Sequence, residues 1–368
     1  MSGRIVLFGA TGFTGRLTAE ALVREGAKPV LAARSGARLA ALCRDLGGGL
    51  ETAEADVSRP RSVRDLVDRG DVLVSTVGPF ARWGEPAVQA AVASGAHYLD
   101  STGEPPFIRA VFERYGLSAE AAGCSMVTAF GYDWVPGNLA GALALREAGD
   151  EAVRVDIGYF LTGEVGPSGM SGGTRASLMG VLLESSFAFR GGALRTERPA
   201  ARVRSFDVRG HSRQGVSVGS SEHFALPRLH PSLRDVDVYL GWFGSLSRGT
   251  QAFSTAGSIL ARLPGTRRAF ATVSGRLVKS SSGGPEAAAR AKSGSHIVAV
   301  ASGPSGDRLG EVHLEGIDAY SFTGRMLAWG ACHVLAVGLE GTGALGPVEA
   351  FGLDELERGC VEAGIERA

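Results

Sequence analysis

Polar side chains suited to proton transfer are concentrated in two segments of the chain, 95–106 and 128–139. They are His97, Tyr98, Asp100 and Glu104 in the first segment, and Tyr132 and Asp133 in the second. A phenol or an imidazole can donate a proton to a reacting atom, and a carboxylate can orient the donor. This set of residues therefore predicts general acid chemistry.

Alternation along a strand limits which of these side chains can act together. Tyr98 and Asp100 would lie on the face opposite His97, so the three cannot all face one ligand. We predict the catalytic residues to be Tyr132, Asp133 and Tyr98, with the first two favoured by their glycine-flanked bend. Structural roles stay open, because Asp133 could cap its own bend and Glu104 could lie favourably at a helix N-terminus.

The segment GATGFTG at 9–15 follows an apolar stretch and precedes a helical pattern. Gly9 would allow a tight turn, Gly12 would keep side chains away from a ligand, and Gly15 would let the helix approach the sheet. Such a turn aims backbone N–H groups at a pyrophosphate, although a ligand-free turn is the alternative in a chain with 54 glycines. The predicted phosphate-binding residues are Gly9, Thr11, Gly12, Phe13, Thr14 and Gly15.

The next apolar segment indicates which dinucleotide binds. It ends in Arg34 and Ser35, where an NAD-binding protein would carry an acidic residue for the ribose. An arginine can pair with a 2′-phosphate, so we predict NADP(H), with a solvated surface arginine as the alternative. Asp56 could bond the adenine edge or cap the helix that follows it.

A third segment, 74–88, contains a Gly-Pro pair directly after a predicted strand. The pair fixes a rigid turn, and the Phe80 ring offers a flat apolar surface beside a nicotinamide. We therefore add Gly78, Pro79, Phe80 and Gly103 to the predicted cofactor-binding residues.

Strand and helix patterns alternate along the first 130 residues, which predicts an α/β fold with a Rossmann-type, doubly wound parallel sheet. The predicted strands are 4–8, 29–33, 51–55, 72–77, 97–100 and 125–129, and the predicted helices are 14–24, 37–45, 61–68, 85–94 and 106–121. Ligands of such sheets bind beyond the carboxyl ends of the strands. The segments 74–88, 95–106 and 128–139 would all lie at that edge.

The pattern changes after residue 150, which predicts a second α+β domain with a mixed or antiparallel sheet. Its predicted strands are 153–162 and 235–243, its hairpin is 295–322, its helices are 174–189 and 251–279, and 190–213 is predicted to be a surface excursion. A helix at 323–339 would return to the first domain. The predicted boundaries are 1–148 plus 321–368 for the NADP-binding domain and 149–320 for the cover domain.

Composition excludes several classes of protein. The 368 residues contain 38 basic and 38 acidic side chains, so no basic surplus favours nucleic acid or anionic lipid. The four cysteines are widely spaced, which is typical of reduced cytoplasmic thiols and does not predict a metal site. We expect a cytoplasmic protein without a signal peptide or a transmembrane segment, because the longest apolar stretch is shorter than the about 20 residues needed.

The chain resembles the saccharopine dehydrogenase-like oxidoreductases, and within them the actinobacterial trans-acting enoyl reductases. The segments that carry the resemblance are GATGFTG at 9–15, VGPFARWGEP at 77–86, HYLDSTGE at 97–104, GYDWVPGNL at 131–139, SGGTRASLMG at 171–180, YSFTGRMLAWGA at 320–331 and GALGPVEAFG at 343–352. The resemblance implies an NADP-binding domain and a second α/β domain that covers the active site. The chain departs from the family at Asn138, where an aspartate is usual, and it lacks arginines matching those that hold amino-acid carboxylates.

The resemblance implies an NADP-dependent enzyme that reduces a conjugated C=C bond of a small or carrier-bound acyl or polyketide-type substrate. An apolar helical stripe at 178–189 would suit such a substrate, although a core role is the alternative. Reduction of a C=N bond and a non-catalytic NADPH sensor are the other functions left open. A homodimer is the predicted assembly.

Overall fold

A computed structural model describes residues 3–163, 185–241 and 283–368. The chain divides into two compact units. The first consists of Met1–Gly103, Phe107–Val135 and Ala319–Ile365, and the second of Glu104–Pro106, Pro136–Asp318 and Glu366–Ala368.

Elements are numbered along the described chain. The strands are β1 (Ile5–Phe8), β2 (Val30–Ala33), β3 (Thr52–Glu54), β4 (Val72–Ser75), β5 (His97–Asp100), β6 (Ser125–Val127), β7 (Arg154–Gly163), β8 (Ser186–Arg190), β9 (Ala193–Glu197), β10 (Val203–Val208), β11 (His211–Val218), β12 (Asp235–Leu240), β13 (Ser293–Ser302), β14 (Arg308–Gly316), β15 (Gly343–Ala344) and β16 (Ile365–Arg367). The helices are α1 (Phe13–Arg24), α2 (Gly36–Asp45), α3 (Pro60–Arg64), α4 (Phe80–Trp83), α5 (Glu85–Ser94), α6 (Pro105–Ala110), α7 (Gly116–Ala122), α8 (Val135–Ala148), α9 (Glu222–Leu229), α10 (Ala287–Ala291), α11 (Ala319–Ala336), α12 (Pro347–Phe351) and α13 (Leu353–Ala363). A π turn at Val111–Tyr115 links α6 and α7, and a short 3-10 turn at Gly149–Glu151 follows α8.

The first unit is built on a parallel sheet with strand order β15-β6-β5-β4-β1-β2-β3. Its central strands β1, β2 and β4 are buried at every position, as expected of strands covered on both faces. The register pairs Val6 with Val30 on one side and with Leu73 on the other. All carboxyl ends therefore lie at one edge, and the predicted doubly wound sheet is confirmed.

The second unit contains a mixed sheet with strand order β10-β11-β12-β7-β13-β14-β16, and β8 joins it through β12. The β12–β7 pair is parallel, whereas β7–β13, β13–β14, β10–β11 and β11–β12 are antiparallel. One face carries a buried cluster of Phe160, Phe206, Val208, Tyr239 and Val298. The predicted second α+β domain is confirmed.

The predicted surface excursion at 190–213 is wrong. This segment contains β9, β10 and the start of β11. Its arginines are compatible with a strand because they pair with buried acids: Arg204 binds Asp156, and Arg202 lies 2.9 Å from Asp237. Polarity that resembled a loop in the sequence is an ion-pair layer on a sheet.

Two other predictions for this region differ from the structure. The predicted helix 174–189 is wrong at its end, because Ser186–Arg190 is strand β8, and its remaining residues up to 184 lie outside the described residues. The predicted hairpin 295–322 is shorter than expected, since β14 ends at Gly316 and α11 begins at Ala319. The predicted helix 251–279 lies outside the described residues.

The predicted domain boundary after residue 148 differs from the observed division after Val135. Helix α8 is the difference, and its glycines explain the grouping. A Cβ atom on Gly137 would lie 2.2 Å from the Tyr159 hydroxyl, and one on Gly141 would lie 2.7 Å from Leu226. These close approaches join α8 to β7 and α9 of the second unit.

Candidate cofactor site and active site

The turn between β1 and α1 has the geometry of a phosphate-binding loop. Gly9 has φ +92°, a conformation that favours glycine, and its N–H donates to the Ala32 carbonyl at 2.8 Å. The Gly12 N–H donates to the Gly9 carbonyl at 2.9 Å. Because α1 begins at Phe13 and its N-cap Gly12 has no side chain to cap it, the helix N-terminus favours an anionic ligand.

Close approach of α1 to the sheet depends on Gly15. A Cβ atom at this position would lie 2.2 Å from the Gly9 carbonyl oxygen. At Gly12 a Cβ atom would lie 3.2 Å from the same oxygen and within 4 Å of no other described atom, apart from its chain neighbours and the adjoining helix backbone, so the fold tolerates a side chain there more easily than at Gly15. The space beside Gly12 is therefore open to a ligand. The turn therefore fits a pyrophosphate, and its residues Thr11, Phe13 and Thr14 are partly exposed.

A cavity of about 150 Å³ opens beside this turn, between α1 and α2. Thr11, Arg16 and Arg38 contribute to its lining. Arg16 is held by Asp45, with Nη2 2.6 Å from Oδ2. The cavity thus places a hydroxyl and guanidinium groups next to the predicted phosphate site.

The end of β2 presents an exposed Arg34 and the α2 N-cap Ser35. The Ser35 hydroxyl accepts a hydrogen bond from the Arg38 N–H at 3.4 Å. Asp56 accepts the Ser58 N–H at 2.8 Å within the turn that precedes α3, but it does not cap that helix, whose N-cap Arg59 has no side-chain cap hydrogen bond. The bond from the Ser58 N–H is the largest cause that lowers the pKa of Asp56, and Arg34 contributes as a nearby positive charge. Roles for Arg34, Ser35 and Asp56 in cofactor binding stay predictions.

The Gly78–Pro79–Phe80 turn follows β4 at the same edge, and its Gly78–Pro79 peptide is cis. The Phe80 ring is buried against Phe107, with centroids 5.5 Å apart. Phe80 thus stiffens the turn, and contact of this turn with a nicotinamide stays a prediction.

Asp100 joins the ends of β5 and β6. Its Oδ1 accepts the N–H groups of Thr102 at 2.8 Å and Ala129 at 2.9 Å, and its Oδ2 accepts the Thr128 hydroxyl at 2.7 Å. Burial raises the pKa of Asp100 to about 6, and the hydrogen bonds from Ala129 and Thr102 oppose that effect.

The bend after β6 carries Tyr132 and Asp133. The Tyr132 N–H donates to the Thr323 hydroxyl at 3.0 Å, and the Tyr132 side chain is 2% exposed. Asp133 is partly exposed as a residue, yet its Oδ1 is buried and forms no hydrogen bond with any described residue. Burial raises the pKa of Asp133 to about 7, so the carboxyl group is partly protonated near neutral pH.

Gly103 and Asp133 lie against each other. A Cβ atom on Gly103 would lie 2.8 Å from Asp133 Oδ2. The structure thus brings together one predicted cofactor-binding residue and one predicted catalytic residue, at the edge where the β5 and β6 segments meet.

Tyr98 lies in a different environment from Tyr132 and Asp133. Its side chain is fully buried near Asp100 and Ser75, and its hydroxyl forms no hydrogen bond of standard geometry with a described residue. Burial raises the pKa of Tyr98 well above its usual range, which keeps the phenol protonated. Its catalytic role stays a prediction.

His97 lies at the amino end of β5, away from the predicted ligand edge. Its Nδ1 accepts the Ser125 N–H at 3.3 Å, and burial lowers its pKa. This placement favours a structural role for His97 over proton donation.

Sequence reasoning missed three residues that hold the bend. Thr128 binds Asp100, Thr323 binds the Tyr132 backbone, and Gly131 makes room for Thr323, because a Cβ atom there would lie 2.7 Å from Thr323 Cγ2. The motif YSFTGRML contained Thr323. Nothing in the sequence linked it to a residue 191 positions away.

The predicted apolar stripe at 178–189 falls largely outside the described residues. Its two described phenylalanines lie in β8, where Phe187 is 1% exposed and packs edge-on against Phe224. Phe187 is therefore a core residue, the alternative raised from the sequence. Within residues 3–163, 185–241 and 283–368, no group of three or more His, Cys, Asp or Glu side chains is arranged to bind a metal. No helix in that part of the chain is both long and apolar enough to cross a membrane.

Comparison with known proteins agrees with this geometry. Residues 5–127 match the family model of the saccharopine dehydrogenase NADP-binding domain. A Mycobacterium tuberculosis protein named as a trans-acting enoyl reductase is 41% identical over 190 residues, which are 50% of this chain and 45% of that protein. A trans-acting enoyl reductase of Mycobacterium leprae is 40% identical over 140 residues, 37% of this chain and 34% of its own. The matches thus span less than half the length of these relatives.

The whole fold is similar to that of the apo saccharopine dehydrogenase (L-Glu forming) of Saccharomyces cerevisiae. The TM-score is 0.59 at 12% identity, over 100% of this chain and 99% of that one. At this identity the likeness concerns the fold alone.

These findings define a two-unit α/β protein with a dinucleotide-binding sheet. Residues 5–127 carry the match to the saccharopine dehydrogenase NADP-binding domain, and the resemblance inferred from the sequence is confirmed. The prediction of NADP(H) as the cofactor is confirmed with it.

Proposed function

We propose that this chain is an NADPH-dependent oxidoreductase that reduces a conjugated C=C bond of an acyl or polyketide-type intermediate. The observation that carries the proposal is the NADP-binding domain at 5–127, whose glycine turn has the open backbone that a pyrophosphate needs. The reaction class comes from the relatives named as trans-acting enoyl reductases.

NADPH, when bound, supplies a hydride. The chain would hold its phosphates with the backbone of Gly12 to Gly15 and its 2′-phosphate with Arg34. Positioning of this kind lowers the barrier because the reacting groups no longer have to find each other in solution.

Reduction of a C=C bond also requires a proton on the second carbon. Asp133 is suited to donate it, because its carboxyl group is partly protonated near neutral pH and its Oδ1 is not engaged by another described residue. Tyr132 precedes it in the same bend and is fixed by Thr323. We assign Asp133 as the proton donor and Tyr132 as its neighbour in the site.

The substrate is proposed to be bound to a carrier, since the relatives are named trans-acting enoyl reductases, a name that implies a substrate held by another protein. A cytoplasmic location belongs to the same proposal and is supported by the four unpaired cysteines, two of them buried. The predicted homodimer is tested by sedimentation of the purified protein.

The first experiment is a fluorescence titration of the purified protein with NADPH and, in parallel, with NADH. Micromolar binding of NADPH with much weaker binding of NADH is expected. Consumption of NADPH is then followed with an enoyl thioester, free and carrier-bound, and with a cyclic imine as the competing substrate class.

Turnover of the enoyl thioester supports the proposal, and turnover of the imine alone replaces it with C=N reduction. Tight binding of NADPH without turnover of either would indicate a sensor. Absence of binding to both nucleotides would remove the basis for a reductase.

A further inference from the structure

Asp100 accepts more hydrogen bonds than its place at the end of a short strand requires. Its carboxylate accepts three, from Thr102, Thr128 and Ala129, and its carbonyl oxygen accepts the Phe130 N–H at 2.7 Å. Three of the four donors belong to the segment after β6, and the fourth belongs to the segment after β5. One fully buried side chain therefore fastens two neighbouring loops.

The bond to Ala129 holds an unusual backbone conformation. Ala129 has φ +61°, in the left-handed region that residues with a side chain rarely adopt. Such a residue costs on the order of 1 kcal/mol and persists only where its surroundings hold it. Here the carboxylate of Asp100 accepts its N–H, and the Ala129 carbonyl accepts the Trp134 N–H at 2.8 Å, which closes the bend around Asp133.

The two fastened loops meet at Gly103 and Asp133. The carboxyl group of Asp133 occupies the space that a side chain on Gly103 would fill, with 2.8 Å from the Cβ position to Oδ2. A small change in the separation of the loops would therefore move the Asp133 carboxyl group away from this wall and let water reach it.

We propose that Asp100 is a positioning residue that fixes the Asp133 carboxyl group against Gly103 at the ligand edge of the sheet. This inference rests on the proposed function, in which Asp133 donates the proton. Asp100 itself is buried beneath the loops and acts only through them.

A purely structural role for Asp100 is the competing explanation, and the same sheet offers a matched residue. Asp71, 3% exposed, lies at the opposite edge and accepts the Arg4 N–H at 2.8 Å, Arg4 Nη2 at 2.9 Å and the Asp68 N–H at 3.0 Å. Both carboxylates accept three hydrogen bonds, but only that of Asp100 bonds to the loop that carries Asp133. Asp71→Ala is therefore the control for loss of stability.

The test measures the protonation of Asp133 in the folded protein. The protein is labelled with carboxyl-¹³C aspartate, and the infrared carbonyl band lost in Asp133→Asn is followed against pH below each variant's unfolding temperature. Burial is the cause of the raised pKa of Asp133, and no charged group of the described chain contributes to it. The midpoint therefore reports whether the carboxyl group is still held away from water.

We expect a midpoint at about pH 7 in the unaltered protein and in Asp71→Ala. In Asp100→Ala the midpoint falls toward about 4, the ordinary value for aspartate. Asp100→Asn keeps the high midpoint, because its amide oxygen can accept both N–H groups while its amide nitrogen donates to the Thr128 hydroxyl. Thr128→Val removes one bond and gives a smaller fall.

An unchanged midpoint in both Asp100→Ala and Thr128→Val would overturn the proposal, as would a midpoint near 4 in the unaltered protein. If Asp100→Ala does not fold, Thr128→Val decides alone. The readout needs neither NADPH nor substrate, so failure of the proposed function is recognised separately, by absent cofactor binding or turnover.

Discussion

Asp133 is the residue on which the proposed chemistry depends, and its protonation gives a testable pH dependence. Because burial raises its pKa to about 7, the acid form is present below that pH and is lost as the pH rises through it. We expect kcat/KM for the enoyl thioester to fall above about pH 7. In Asp133→Asn it should be lower by about 10²-fold or more and should lack this limb of the profile.

The matching variant of its neighbour is Tyr132→Phe, which keeps the ring and removes the hydroxyl. If Tyr132→Phe and Asp133→Asn both retain full turnover with a normal affinity for NADPH, the proton donor lies elsewhere. Tyr98 would then be the next residue to replace, since its phenol stays protonated.

Arg34 decides the nucleotide preference in the proposed site. Arg34→Asp replaces an exposed positive charge at the end of β2 by a negative one that repels a 2′-phosphate. We expect the Kd for NADPH to rise by about 10- to 100-fold, the size of a lost charge-assisted hydrogen bond, while the Kd for NADH changes little. Paired fluorescence titrations measure both constants.

The control for Arg34→Asp is Arg24→Asp. Arg24 is also exposed but lies at the far end of α1, so the same change in net charge is made away from the nucleotide. An equal loss of NADPH affinity in both variants would show that total charge, and not the position of Arg34, governs binding.

For single residues, the sequence was enough to select candidate side chains, but it did not predict their burial or their hydrogen-bond partners. Asp133 could be selected from its glycine-flanked bend, but the alternation of His97, Tyr98 and Asp100 did not reveal which face of β5 is covered. The support from Thr128 and Thr323 depends on contacts made only after distant segments fold together. Such contacts leave no local pattern in the chain.

At the scale of elements, substitutions in the turn from β1 into α1 should affect stability and NADPH binding to different extents. In Gly12→Ala the new Cβ atom lies 3.2 Å from the Gly9 carbonyl oxygen on an exposed turn, so Tm should change little. The same methyl group faces the predicted pyrophosphate, and we expect NADPH affinity to fall at least about tenfold, or 1.4 kcal/mol. Thermal unfolding and a titration of the same sample measure the two effects.

Alanine substitutions at two other glycines serve as controls for Gly12→Ala. Gly15→Ala should lower Tm as well as affinity, because its Cβ atom would lie 2.2 Å from the Gly9 carbonyl oxygen. Gly341→Ala has ordinary contacts of 3.5 Å and should change neither. Normal NADPH affinity in Gly12→Ala would contradict a phosphate site at this turn.

Elements whose burial follows a simple rule were predictable. The uninterrupted apolar strands β1, β2 and β4 indicated a sheet covered on both faces, and the structure has one. Strands β9 and β10 were missed because the segment is rich in arginine, and the acidic partners of Arg202 and Arg204, Asp237 and Asp156, are distant in sequence. A polar segment is therefore not a reliable sign of exposure, because its charges can pair with buried residues that lie far away in the sequence.

At the scale of the whole molecule, two units with separate cores share one chain. The first carries the NADP-binding sheet, and the second carries a mixed sheet in which Asp237 is fully buried between arginines, with Arg154 Nη2 at 2.8 Å and Arg202 Nη2 at 2.9 Å. A ligand stabilises the unit that binds it by mass action, about 2.7 kcal/mol at 100 times its Kd. NADPH should therefore raise the unfolding temperature of the first unit and leave that of the second unit unchanged.

We expect calorimetry to resolve two unfolding transitions, because each unit has its own sheet and buried core. Asp71→Ala should lower the free energy of unfolding of the first unit by about 1–3 kcal/mol through lost hydrogen bonds. Asp237→Ala should lower that of the second unit by about 3–5 kcal/mol, because it removes the buried partner of Arg154, Arg190 and Arg202. Saturating NADPH should raise the transition that Asp71→Ala lowers and leave the other in place. A single transition that both variants and NADPH shift together would contradict this and show that the units unfold as one cooperative body.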